Sequence, residues 1–309
     1  MQKRPRTIFR SIDGIVLLDK PQGLSSNQAL QRVRHIFRAE KAGHTGSLDP
    51  LATGLLPICL GEATKIAGIL LGKNKAYDTV AKLGATTDTD DADGQVLLER
   101  VIPDFDIEKI QTLLQGFIGK IQQRPPIYSA LKQGGEPLYA KARRGEIIEV
   151  PMREVNVEKI EVVGINENEI SLRIVCGSGT YIRSIVRDLG ELLGCGAHVK
   201  VLRRLWVDPF IEPQMHTLDE LVDLAGQGDA GLESLVLLIE TGLAGWPVLQ
   251  LDETQIKRFG QGQRLVISDS GILGDVNVCD QAGRSLGLAS LDQYGVLQAK
   301  RLFRWAALS

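Results

Sequence analysis

Two runs with strand-like alternation, Val155 to Val163 and Glu169 to Cys176, are separated by only a short polar turn around Asn166-Glu167-Asn168. So short a link has no room for a crossover helix, so the two strands are expected to pair antiparallel. Further strands are expected at Gly14 to Asp19, a short apolar run bounded by Gly and Pro, and at Leu55 to Leu60, Tyr77 to Gly84 and His198 to Val207. Helices are expected between them. Ser26 can cap one running to about Arg38, with Leu30, Val33 and Phe37 on one face. Others cover Ala63 to Leu71, Ile107 to Phe117 and Ile182 to Leu193, the last stopping at Gly194. Helices mixed with mainly antiparallel strands make the class α+β. From about Leu249 the texture changes to short runs, glycines and alternating valines, ending near Phe303. That pattern predicts a catalytic-sized unit over 1–246 and a small β-rich domain over 247–309.

A chain of 309 residues with 43% hydrophobic content can bury a real core. No apolar run is long enough to span a bilayer, and the basic N-terminus lacks a signal peptide's apolar stretch. Cys59, Cys176, Cys195 and Cys279 are scattered with no CxxC pair, which argues against zinc and disulfide frameworks. A reduced, cytoplasmic setting is the expectation. The net charge of −2 argues at first against a nucleic-acid partner. However, ten acids and no Lys or Arg lie between Leu205 and Ile256, so the rest of the chain stands at +8. A polyanion responds to local fields, and basic residues cluster at Lys3 to Arg10, Arg32 to Lys41, Lys132 to Arg144 and Arg203-Arg204. Ordinary solvated surface explains such clusters equally well.

Among the chemical motifs, DTDDADG (Asp88 to Gly94) looks like a calcium loop but puts Ala92 and Asp93 where an oxygen ligand and a glycine belong. Gly177-Ser178-Gly179 begins a dinucleotide pattern, but Ile182 takes the third glycine's place. The four histidines have no metal-ligand spacing, and no nucleophile elbow exists. There remains the loop GHTGSLDPLATG, Gly43 to Gly54, whose glycines and proline hold His44 and Asp49 near each other. An isolated Asp before Pro is more often a turn cap, and a lone His a structural hydrogen-bonder.

Taken together, DKPQGLSSN (Asp19 to Asn27), GHTGSLDPLATGLLPICLGEATK (Gly43 to Lys65), KAYDTVAKLGATTDTDDADG (Lys75 to Gly94), RPPIYSALK (Arg124 to Lys132), CGSGTYIRSIVRDLGELLG (Cys176 to Gly194) and GAHVKVLRRL (Gly196 to Leu205) resemble the bacterial TruB family, the tRNA pseudouridine-55 synthases. The resemblance runs in order from about Gly14 to Trp206. The C-terminal part resembles the small PUA-like RNA-binding domain that ends such enzymes.

The resemblance implies a pseudouridine synthase fold and an isomerisation that needs neither metal nor redox cofactor. It makes Asp49 the nucleophile, Arg183 the cation that pairs with it and favours its ionised form, and Tyr77 the ring that stacks on the uracil. Tyr181 and Leu202 match substrate-pocket positions, though Leu202 alone reads as plain core. His44 matches a residue that packs against displaced nucleotides. Lys20, in DKPQG, is placed with the substrate-binding set and chiefly supports the loop. Arg32, Arg34, Arg38, Lys141, Arg143 and Arg144 are candidate phosphate contacts. The implied partner is the TΨC stem-loop of tRNA, with no guide RNA, no membrane and a monomeric state. A protein that binds or folds RNA without catalysis is the competing reading.

Overall fold

The computed structural model describes residues 8–129, 131–137, 144, 146, 148–268 and 270–307. The N-terminal part contains strands β1 (Gly14–Lys20), β2 (Ala42–His44), β3 (Thr53–Leu60), β4 (Lys75–Leu83), β5 (Ala85–Thr87), β6 (Val96–Glu99), β7 (Gly119–Gln123), β8 (Lys132–Gln133), β9 (Glu136–Pro137), β10 (Arg153–Asn166), β11 (Glu169–Cys176) and β12 (Ala197–Val207). Among the described residues, eight of these form one sheet in the order β1-β3-β12-β4-β11-β10-β7, with β2 also paired to β3. Its pairings are antiparallel except β12 with β3. The β10–β11 hairpin turns where the Asn-rich connection predicted it.

Among the described residues, four helices flank this sheet in sequence: α1 (Ser26–Ile36), α2 (Ala67–Leu71), α3 (Ile107–Gln115) and α4 (Ile182–Leu193). The cap of α1 is Ser25, not Ser26: its hydroxyl accepts from the Gln28 amide and the Gln28 side chain accepts from the Ser25 amide. This reciprocal box satisfies two end groups at once, whereas Ser26 is drawn into a tertiary contact. The helix predicted from Ala63 begins instead as a 3₁₀ turn at Gly61–Ile66. On α4, Ile182, Ile185, Val186, Leu189 and Leu193 are buried, a stripe at helical spacing. Each such side chain contributes about 1.5–3 kcal/mol by burial. Gly190 lets this helix close on the sheet, because a Cβ there would stand 2.2 Å from the Ala197 amide nitrogen.

The acidic stretch forms three short helices, not two: α5 (Leu218–Gln227), α6 (Asp229–Glu233) and α7 (Ile239–Gly242). After them come β13 (Val248–Gln250), α8 (Glu253–Gly260), β14 (Leu265–Val266), β15 (Gly274–Cys279), β16 (Ser285–Leu291) and β17 (Val296–Leu302). The five strands form a second sheet in the order β13-β15-β16-β17-β14. It has its own core around Leu251, Phe259, Val276 and Leu297. It also sends Leu288 and Phe303 into an apolar cluster with Ile15, Leu55 and Ile66 of the larger part.

Candidate active site

The loop between β2 and β3 is held from below. Ser26, in the first turn of α1, accepts a hydrogen bond from the Leu48 amide (2.7 Å) and donates to the Leu48 carbonyl (3.0 Å). The Gly23 amide donates to the Pro50 carbonyl (2.8 Å). The Lys20 ammonium is fully buried and donates to the carbonyls of Pro21 (2.8 Å), Leu24 (2.6 Å) and Pro50 (3.4 Å). Burial pushes the Lys20 pKa down to about 8, with Asp49 opposing that fall. Lys20 therefore lies beneath the loop and supports it, and it is not part of the wall of the cavity above Asp49.

Asp49 closes a turn through its backbone carbonyl, which accepts from the Ala52 amide at 3.1 Å. Its carboxylate is not used there. Oδ2 lies 3.0 Å from Nε of Arg183, a close ion pair without the alignment of a hydrogen bond. Arg183 is 3% exposed in the first turn of α4. Its Nη1 donates to the Thr89 carbonyl (2.7 Å) and lies 3.5 Å from Oδ2 of Asp91. Its Nη2 donates to the Tyr128 carbonyl (2.9 Å). One guanidinium thus stands between two carboxylates. Burial raises the Asp49 pKa above the ordinary range, Arg183 pulls it down and Asp91 adds to the rise. The sequence reading expected the cation to favour ionisation; it does act that way, but desolvation is the larger effect.

Above the pair opens a cavity of about 480 Å³ whose wall includes Asp49, Tyr77, Tyr181, Arg183, Leu202 and Arg204. Pockets of this size suit a small organic group. Tyr77 (8% exposed) comes from β4 and Leu202 (6%) from the adjacent β12. Burial raises the Tyr77 hydroxyl's pKa, while Arg204 opposes this by charge and by a hydrogen bond. Tyr181 is the residue before α4, held at its backbone by both ends of the Gln123 amide (2.8 and 3.1 Å). Arg204 is 1% exposed and donates to the carbonyls of Leu55 (2.7 Å) and Gly46 (3.2 Å). Gly54, at φ +96°, allows this parallel approach: a Cβ there would meet the Arg204 carbonyl at 2.2 Å.

His44 sits on β2 and is not part of the cavity wall. Its Nδ1 faces the Gly46 amide at 3.4 Å, and burial and Arg204 lower its pKa, so the ring is neutral near pH 7. Of the candidate phosphate contacts, Arg32 is exposed. Arg34 donates to the carbonyls of Ala39 and Glu40, and Arg38 pairs with Asp229. Arg144 pairs with Glu136 and Glu146. These three are engaged within the protein. Lys141 and Arg143 lie outside the described residues. Among the described residues no cluster of His, Cys, Asp or Glu is placed to hold a metal, and no helix is long and apolar enough to cross a membrane.

Asp91, Arg204, Gln123 and Ser26 were not legible as site residues. The sequence signal for Asp91 was the acidic loop itself, set aside because it fails as a calcium loop.

Family comparisons agree with one another along the chain. The family model for the TruB family pseudouridylate synthase N-terminal domain matches residues 34–182. The tRNA pseudouridylate synthase B C-terminal domain matches 183–244, and Pseudouridine synthase II TruB, C-terminal, matches 247–303. The chain is 59% identical over 301 residues to tRNA pseudouridine synthase B of Xanthomonas axonopodis pv. citri, covering 97% of each chain. It is 47% identical to the protein of that name from Stutzerimonas stutzeri, covering 97% of this chain and 98% of the relative. Among solved structures, a Cbf5-Nop10-Gar1 complex contains a chain similar at TM-score 0.75 and 25% identity, over 99% of this chain and 90% of that one.

Proposed function

The chain belongs to the TruB family of pseudouridine synthases, and we propose that it isomerises one uridine in the TΨC arm of tRNA, at position 55, to pseudouridine. The observation that carries this reading is the Asp49–Arg183 pair at 3.0 Å beneath a cavity walled by Tyr77, Tyr181 and Leu202. The relatives named tRNA pseudouridine synthase B supply the substrate class.

The reaction breaks the bond from ribose C1′ to uracil N1 and forms one from C1′ to C5. C5 loses a proton and N1 gains one, so the product is an isomer and no external oxidant, reductant or cofactor is consumed. Asp49 is the group that starts it, by adding to C6, attacking C1′ or opening a glycal route; each uses its ionised form. Arg183 holds that form. The target base has to leave its stack, at a cost of a few kcal/mol. Stacking on an aromatic ring returns about 1–3 kcal/mol, which is the role we give Tyr77. Tyr181 and Leu202 bound the uracil, and His44 packs against nucleotides displaced around it. Arg32 remains a phosphate contact, and Arg34, Arg38 and Arg144 would have to exchange internal partners for phosphate. The exposed ion pairs of Arg38 and Arg144 are weak enough for that, and Arg34 would give up hydrogen bonds to backbone carbonyls.

We place the catalytic unit at 1–246 and an RNA-binding domain at 247–309, working as a cytoplasmic monomer without guide RNA. The test is pseudouridine formation in an unmodified tRNA transcript. Wild type is expected to convert one uridine of the TΨC arm. Asp49→Asn, nearly the same size, is expected to bind the transcript and lose about 10⁴-fold or more in rate. Equal activity of the two proteins would reduce Asp49 to a turn residue; binding without conversion by either would favour an RNA-folding protein.

A further inference from the structure

We propose that Arg187 and Asp90 form a positioning pair that sets the Arg183 guanidinium against Asp49, an inference that rests on the pseudouridine synthase reading and extends it to groups outside the cavity wall. Arg187 lies four residues after Arg183 on α4, so both side chains leave the same face. Arg187 is not part of the cavity wall. Its Nη1 lies 3.0 Å from Oδ2 of Asp90, and its Nη2 donates to the Arg124 carbonyl at 2.9 Å.

Those two contacts reach both segments that hold Arg183. Asp90 stands between Thr89, whose carbonyl accepts from Arg183, and Asp91, whose carboxylate faces it. Asp90 has φ +61°, a left-handed conformation that a non-glycine residue keeps only when its surroundings hold it there. Its backbone is bonded to β12, where its carbonyl accepts from the Val199 amide at 3.0 Å. Arg187 secures its side chain. On the other segment, Arg124 begins the stretch whose Tyr128 carbonyl also accepts from Arg183. Ser184 shares that task, donating to the Arg124 carbonyl at 2.8 Å. The Asp90 backbone segment is also tied to β12, where the Ala92 amide donates to the Val199 carbonyl at 2.8 Å, and to Thr87, whose hydroxyl donates to the Asp91 carbonyl at 2.7 Å; the Asp90 carboxylate itself is held by Arg187. Release of Arg187 frees that carboxylate and one tie to the Arg124 stretch together, and is expected to let the guanidinium shift relative to Asp49. A displacement of about 1 Å at a reacting group can cost about 100-fold in rate.

The experiment compares wild type, Arg187→Met, Arg187→Lys, Asp90→Asn and the reversed pair Asp90→Arg with Arg187→Asp. Each full-length protein is measured for single-turnover conversion of an unmodified tRNA transcript, for transcript affinity, and for the titration of the Asp49 carboxyl by carbon NMR, assigned by loss of the signal in Asp49→Asn. Arg183, Asp91, Lys20 and Asp93 are the charged groups acting on that carboxyl. Arg187→Met is expected to lower the rate by about 10–100-fold and leave affinity within about threefold. The Asp49 titration is expected to move upward, because Arg183 is the main group holding it down. Arg187→Lys and the reversed pair are expected to recover part of the rate. A rate that falls only with the folded fraction, with an unmoved titration, would make the pair a plain stabilising contact and overturn the proposal. If Arg187→Met does not fold, Asp90→Asn carries the same two readings. If wild type makes no pseudouridine, the functional reading fails by itself, and the titration still decides: an upward shift supports the positioning pair and an unmoved one overturns it.

Discussion

In the proposed mechanism, Asp49 is a side chain that opposes stability while serving function. Its carboxyl titrates above the ordinary value of 3.8, chiefly through burial. The role proposed for Asp49 needs its ionised form, so on that proposal the single-turnover rate is expected to rise with pH through an acid limb above the range of a solvated aspartate. The sign for stability is the reverse. A carboxyl whose folded pKa exceeds its unfolded pKa favours folding when protonated, and that advantage is lost as pH rises through the folded value. Wherever Asp49 is ionised it therefore costs stability, and above its folded pKa Asp49→Asn is expected to hold or raise Tm while abolishing turnover. Thermal melts of both proteins at pH 7.5, beside a pH–rate profile of wild type, check both halves. A lower Tm in the variant would mean that the Arg183 attraction outweighs desolvation. At this scale the sequence showed Asp49, Arg183 and Tyr77 only through their motifs. Arg187 and Asp90 sat inside the same quoted runs, but nothing in their spacing told a network from solvated charge. Leu202 read as core because its burial and its place in the wall are the same fact.

The elements themselves were largely legible, because their periodicity records which face is buried. Helix α4 was read at Ile182 to Leu193 from its apolar stripe and Gly194, and the structure gives those bounds. The misreadings came where a side chain had two uses. Ser26 looked like a cap, but Ser25 caps α1 and Ser26 ties that helix to the loop between β2 and β3. No local rule distinguishes two adjacent serines when the deciding partner, Leu48, is 22 residues away. The assignment makes a sharp prediction. Ser26 is 4% exposed, so Ser26→Ala leaves the Leu48 amide buried without its acceptor, at a cost of about 1–3 kcal/mol. Ser25→Ala loses an exposed cap, worth about 1 kcal/mol. Urea melts are expected to rank Ser26→Ala as the more destabilised. Its turnover rate is expected to fall several-fold at saturating tRNA, with Ser25→Ala close to wild type. Equal rates would mean that the loop holds its shape through Lys20 and Gly23 alone.

The whole molecule was the hardest scale to read, because charge and domain boundaries depend on what meets in space. The acidic stretch was counted as separate from the basic clusters, but Asp229 pairs with both Arg10 and Arg38, and Glu233 with Arg10. Part of the positive excess is therefore neutralised internally. The change of texture near Leu249 marks the start of the second sheet, yet it does not reveal how that sheet is attached. Leu288 (4% exposed) and Phe303 (0%) complete an apolar cluster with Ile15, Leu55, Ile66 and Phe210. Around it, Lys65 donates to the Leu302 carbonyl (2.6 Å), and the Glu62 carboxylate accepts from the Arg304 amide (2.7 Å). A fragment of residues 1–246 would expose its half of the cluster. At about 1.5–3 kcal/mol for each fully buried large apolar side chain, losing two such contacts is comparable to much of a domain's total stability of about 5–15 kcal/mol. The fragment is therefore expected to melt well below the full chain or to aggregate. Phe303→Ala in the full chain should reproduce much of the loss, at about 3–5 kcal/mol. A fragment that melts like the full chain would instead show that the second sheet is a tethered module. Its contribution would then be confined to RNA binding, and the shared cluster would be a contact that the larger part does not need.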